Sequence, residues 1–243
     1  IYFPLLKGKR IGFVGNHTSM LNDKHLVDSL LAASFNVVKV FSPEHGFRGD
    51  ADAGEKVADG IDAQTGLPVI SLYRKNRKPK TEQLKDLDLL LFDIQDVGAR
   101  AYTYISTLHY VMEAAAEHNI PLVLLDRPNP NGHYVDGPIL EQAHQSFVGM
   151  HQVPIVHGMT IGEYAKMVNQ EGWLANGTKC DLQIIVCQNY DRNQLYEITT
   201  PPSPNLPNTK AVLLYPSLCL FEGTPISVGR GTTAPFQQFG HPE

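Results

Sequence analysis

Apolar residues along this chain gather in short, nearly unbroken runs separated by polar loops. Arg10–Asn16, Val37–Phe41, Val69–Tyr73, Leu87–Ile94 and Pro121–Asp126 each have the length and residue types of a buried strand. Between them the spacing turns helical. Leu26, Val27, Leu30 and Leu31 mark one face of a helix over Asp23–Ala33, and a longer helix is predicted from about Thr103 to His118. Strands that are apolar on both faces and alternate with helices predict an α/β fold with a mostly parallel sheet covered on both sides. The first 140 residues are therefore expected to form a Rossmann-like, doubly wound domain. No G-x-G-x-x-G follows the first strand, so no dinucleotide cofactor is expected.

From 141 to 243 the pattern is less regular and is expected to form a second, smaller α/β subdomain whose C-terminal part is missing. Thr160-Ile161-Gly162-Glu163 reads as a capping box that starts a helix ending near Glu171. Asp181–Val186 and Ala211–Tyr215 are predicted as two further strands. Between them, Pro201-Pro202-Ser203-Pro204-Asn205-Leu206-Pro207 is too rich in proline for a helix or a central strand.

Composition narrows the function classes. An apolar share of 42% and a charged share of 19% describe a globular protein, and no apolar run approaches the ~20 residues of a membrane span. A formal charge of −5 gives no polyanion signature. The short basic cluster Arg74-Lys75-Asn76-Arg77-Lys78 reads as a solvated loop rather than a nucleic-acid patch. Cys180, Cys187 and Cys219 are too few and too irregular for a zinc site or a disulfide framework, and buried free thiols are expected. The chain starts at Ile1 and looks trimmed, so its start says nothing about compartment.

Chemistry concentrates where the predicted strands end. The first runs into Asn16, His17 and Thr18; the second into Pro43, Glu44, His45 and Arg48. The Leu89–Phe92 run leads to Asp93, Gln95, Asp96 and Arg100, then Tyr102 and Tyr104; Leu122–Leu125 leads to Asp126, Arg127 and Asn129. In a parallel sheet these ends share one edge, so the clusters are expected to converge on one cleft. Glu44 is the general-acid candidate, because a carboxyl behind an apolar strand can be desolvated toward a neutral pKa. Asp93 or Asp96 would be the second carboxyl of a glycosidase pair. Asp93 has a competing structural reading, as the partner of Arg100 or Arg127, and Asp126-Arg127 could itself be a buried ion pair. Tyr102 and Tyr104, two apart, would form either one face of a strand-like entry or a sugar-facing aromatic wall. A metal held by His17, His45 and His157 with Asp93 or Asp96 is the rival reading, but no metal-ligand spacing supports it. No G-x-S-x-G elbow points to a serine hydrolase.

Taken together, several motifs resemble the NamZ/YbbC family, long described only as a domain of unknown function. They are Ser42-Pro43-Glu44-His45-Gly46, Asp93 through Arg100, Tyr102-Thr103-Tyr104, Asp126-Arg127-Pro128-Asn129-Pro130, His157 through Glu163, Pro202-Ser203-Pro204-Asn205, and Glu222-Gly223-Thr224 through Gly229-Arg230-Gly231-Thr232. The resemblance implies an exo-β-N-acetylmuramidase that needs no cofactor or metal and releases N-acetylmuramic acid from the non-reducing ends of peptidoglycan fragments. It implies a Rossmann-like domain and a second α/β subdomain with the site in the cleft between them, and it maps the proposed catalytic glutamate onto Glu44. The expected partners are muropeptides or disaccharides, and the expected location is periplasmic or secreted. The lactyl carboxylate of muramic acid suits an Arg fork, for which Arg48, Arg100, Arg127 and Arg230 are candidates. Asn16, His17, His45, Gln95, Tyr102, Tyr104, Asn129 and His157 complete the expected sugar-binding set. The N-acetyl group could also assist the reaction. Family members extend beyond the G-R-G-T segment, where this chain soon stops. A non-catalytic muropeptide- or sugar-phosphate-binding module and a metal-dependent hydrolase stay open as alternatives.

Overall fold

The computed structural model describes residues 2–49, 59–73 and 76–241; Arg74 and Lys75 of the basic cluster lie outside them. Six parallel strands form the main sheet: β1 (Ile11–Gly15), β2 (Val37–Ser42), β3 (Pro68–Ser71), β4 (Leu89–Asp93), β5 (Leu122–Leu125) and β6 (Leu182–Ile185). In space they run β3-β2-β1-β4-β5-β6, and Gly60–Ile61 adds an antiparallel edge beside β3. That is the doubly wound order, with its switch point between β1 and β4. The segment expected as a strand at Asp181–Val186 joins this same sheet beside β5, so the sheet continues past residue 140.

Alternation along β4 explains both layers. Leu89 and Leu91 pack with Leu26, Val27 and Leu30 of helix α1 (Leu26–Ala32) on one side. Leu90 and Phe92 face the other side, against Ile105, Leu108 and Met112 of helix α2 (Tyr104–Glu117). Each of these buried side chains contributes roughly 1.5–3 kcal/mol relative to exposure. Helix α3 (Ile161–Gln170) is closed at its start by the expected capping box, with Thr160 Oγ1 accepting from Glu163 N at 3.1 Å and Glu163 Oε2 from Thr160 N at 2.9 Å. Among the described residues no helix is long and apolar enough to cross a membrane. The three cysteines are free, with Cys180 and Cys219 buried.

Two elements differ from the sequence expectation. Residues 20–25 form a tight hairpin ahead of α1, because Asn22 takes a left-handed turn conformation (φ 54°). The predicted strand at Ala211–Tyr215 is instead helix α4 (Thr209–Leu218). An apolar run of that length fits either element, and here a cap decides: the Asn208 side chain accepts from Ala211 N at 3.0 Å. Burial of Ala211, Val212, Tyr215 and Leu218 follows the helical repeat.

Pro216 inside α4 cannot donate to the Val212 carbonyl. Asn131 replaces the lost bond, donating from Nδ2 to Val212 O at 3.2 Å and to Val97 O at 2.9 Å. Asn131 is fully buried. Asn131→Ala is therefore expected to cost about 1–3 kcal/mol, the penalty of buried carbonyls left without donors. Urea unfolding checks this, and an unchanged midpoint would contradict the role.

Candidate active site

The second strand delivers Glu44 at its carboxyl end, just after Pro43. His45 follows with φ 72°, a conformation unfavourable for a non-glycine residue, and is buried. Glu44 Oε1 accepts a 2.8 Å hydrogen bond from the hydroxyl of Tyr73, which leaves the end of the neighbouring β3. Both residues line a cavity of about 370 Å³. Its other walls bring Tyr102 and Tyr104 from the start of α2, Ser203 and Asn205 from the Pro-rich segment, and Glu222 and Arg230 from beyond α4. Tyr102 meets Tyr104 edge-on at 4.9 Å and Tyr215 at 5.6 Å, so rings make up one side of this cavity.

Glu222, in the 3₁₀ turn Cys219–Gly223, was not among the expected site residues, nor was Tyr73. Burial pushes the Glu222 carboxyl up, Arg230 at 2.5 Å pulls it down, and the nearby charge of Glu44 pushes it up again. Two carboxyls thus share one cavity, and Glu222 responds to the charge of Glu44. The only trace of Glu222 in the sequence was its place in the Glu222-Gly223-Thr224 motif.

Other strand-end groups are placed differently. Asp93 is buried and held in a bidentate pair by Arg127, Nε to Oδ1 at 2.6 Å and Nη2 to Oδ2 at 2.9 Å. Asp96 is also buried: Gly98 N donates to its Oδ2 at 2.7 Å, and desolvation lifts its pKa to about 7. Gly98 has φ 76° and packs so tightly on the Asn129 side chain that a Cβ would not fit. Neither Asp93 nor Asp96 lines the Glu44 cavity. Arg48 is shared between Asp28 at 3.0 Å and Asp62 at 2.8 Å, which holds the Asp62 carboxyl down at about 2. Arg100 donates to the carbonyls of Pro138 (2.8 Å) and Val153 (2.5 Å). Asn129 donates to Met159 O and accepts from Asn131 N. His157 lies buried against the Tyr164 ring, and desolvation lowers its pKa to about 4.

The strand ends do not form one cleft. The Pro201-Pro202 backbone runs between two cavities and is held from below. His17 Nε2 donates to Pro201 O (2.8 Å), and the Tyr102 and Tyr104 hydroxyls donate to Pro202 O (2.8 and 3.3 Å). Asn16 Nδ2 in turn donates to the Tyr104 hydroxyl at 2.8 Å. Beyond this strap, Thr18, Gln95, Arg127 and Thr200 line a separate cavity of about 850 Å³ at the switch point. Gln95 is largely spent on structure: its N donates to Thr18 Oγ1 and its Nε2 to Pro128 O. Among the described residues, no group of three or more His, Cys, Asp or Glu side chains is arranged to hold a metal ion.

Two family models cover almost the whole chain: the N-terminal part of exo-β-N-acetylmuramidase NamZ matches residues 11–210, and its C-terminal part matches 213–243. The chain belongs to the NamZ family. It is 47% identical to the peptidoglycan β-N-acetylmuramidase NamZ of Bacillus subtilis (strain 168), aligning 99% of this chain with 59% of that protein. Two crystal structures of DUF1343 family proteins from Bacteroides fragilis NCTC 9343 superpose on it. One is 55% identical with a TM-score of 0.91, covering 99% of this chain and 64% of that one. The other is 40% identical with a TM-score of 0.89, covering 98% and 62%. The chain therefore spans about three fifths of the length of these relatives. The two family models meet between residues 210 and 213, at the start of α4.

Proposed function

We propose that this chain carries the catalytic centre of an exo-acting β-N-acetylmuramidase, which removes N-acetylmuramic acid from the non-reducing end of peptidoglycan fragments. The observation that carries this reading is the pairing of Glu44 with Glu222 in one aromatic-walled cavity, in a member of the NamZ family. Glu44, oriented by the Tyr73 hydroxyl, protonates the glycosidic oxygen as the bond breaks. Glu222, held by Arg230 at 2.5 Å, faces the positive charge that develops on the sugar ring and acts as its second carboxylate. Tyr102 and Tyr215 present ring surface to the sugar, with Ser203 and Asn205 at hand for its hydroxyl and acetamido groups. Peptidoglycan lies outside the cytoplasmic membrane, so the working location under this reading is the cell envelope.

Glu222 provides the test that separates hydrolysis from mere binding. Glu222→Gln is expected to lower kcat on an aryl β-N-acetylmuraminide by about 100-fold while changing KM little. A normal kcat in that variant would remove Glu222 from the mechanism. Saturable binding of the muraminide with no product from the wild-type protein would favour a binding module instead.

A further inference from the structure

The arginines that the sequence offered to a substrate carboxylate are engaged elsewhere: Arg48 with Asp28 and Asp62, Arg100 with backbone carbonyls, Arg127 with Asp93, and Arg230 with Glu222. Arg77 differs from all of them. It lines the Glu44 cavity, and its guanidinium carbon sits 4.2 Å from the centre of the Phe147 ring, which lines the same cavity. It makes no ion pair among the described residues.

We propose that Arg77 is the carboxylate-binding residue of this cavity, reading the anionic lactyl group that distinguishes N-acetylmuramic acid from N-acetylglucosamine. The proposal rests on the substrate class proposed above. Contact with a ring face leaves the guanidinium N–H donors for a second partner, and the planar fork of an arginine matches a carboxylate with two parallel bonds. Of the two arginines that line this cavity among the described residues, Arg230 is held by Glu222, and Arg77 is the one placed to answer an incoming anion. Arg77 belongs to a basic cluster that the sequence pattern assigned to a solvated loop. Its exposure is consistent with that pattern, yet its ring contact turns it toward the site.

The test compares the binding of free N-acetylmuramic acid and free N-acetylglucosamine to the intact protein by calorimetry. The wild type is expected to prefer the acid. Arg77→Ala is expected to weaken binding of the acid by about 10–100-fold and to leave the neutral sugar unchanged. Arg77→Lys keeps the charge without the fork and should fall between. Far-ultraviolet dichroism on each variant checks the fold, and the Lys variant decides the question if the Ala variant is misfolded. A preference that stays at the wild-type size in a folded variant, or is absent from the wild type, overturns the proposal. Turnover of an aryl muraminide is scored separately. Its absence would remove the hydrolase reading while the binding comparison still decides the role of Arg77.

Discussion

Glu44→Gln is expected to lower kcat on muraminides by about 10²–10⁴-fold, the contribution of a positioned general acid. The substitution is nearly isosteric, and the amide oxygen can still accept from the Tyr73 hydroxyl, so the thermal midpoint should stay at the wild-type value. The same substitution should leave KM close to normal, because the lost interaction belongs to the transition state rather than to the bound sugar. Steady-state kinetics on the aryl substrate, paired with a melting curve, check both halves. Near-normal turnover in a folded variant would defeat the assignment of Glu44.

The second large effect concerns stability. Arg127→Met is expected to cost about 3–5 kcal/mol, because it strands the Asp93 carboxylate in the interior without its bidentate partner. Asp93 is 1% exposed, so water cannot take over the role of the guanidinium. For a chain of this size that loss corresponds to a drop in melting temperature of roughly 10 °C. Replacing both partners, as in Asp93→Leu with Arg127→Met, should recover part of the stability, since an apolar pair carries no desolvation penalty. Differential scanning calorimetry reads the result. A single variant that melts with the wild type would show that the pair is not what holds the β4 and β5 ends together.

These two expectations mark what was legible in the chain. Glu44 could be read because a buried strand that ends abruptly in Pro-Glu-His has only one sheet edge to which it can deliver its carboxyl. The strands themselves were legible for the same reason: runs such as Leu89–Phe92 are buried on both faces and tolerate little polarity. The Asp93–Arg127 pair was visible only as one of several options. The two residues stand at the ends of neighbouring strands, β4 and β5, and nothing local says which cation takes the carboxylate.

Elsewhere the deciding interactions are long-range. Helix α4 is stabilised by Asn131, which lies far upstream and covers the carbonyl that Pro216 exposes, so the apolar run alone could not distinguish helix from strand. Tyr73, Arg77 and Glu222 come from a strand end, a loop and a 3₁₀ turn, and no periodicity ties any of them to Glu44. The strap at Pro201-Pro202 divides the strand ends into two cavities through bonds to His17, Tyr102 and Tyr104. Proline richness predicted that the segment would be irregular, but not where it would lie.

The central claim is release of N-acetylmuramic acid from a non-reducing end, and a pair of mirror disaccharides tests it most directly. The intact protein is incubated with a β-1,4 disaccharide carrying N-acetylmuramic acid at its non-reducing end, and in parallel with one carrying N-acetylglucosamine there and N-acetylmuramic acid at the reducing end. Proton NMR follows both. Free N-acetylmuramic acid should appear from the first alone, in step with the loss of its glycosidic bond. Cleavage of the second disaccharide, or of neither, would contradict the account.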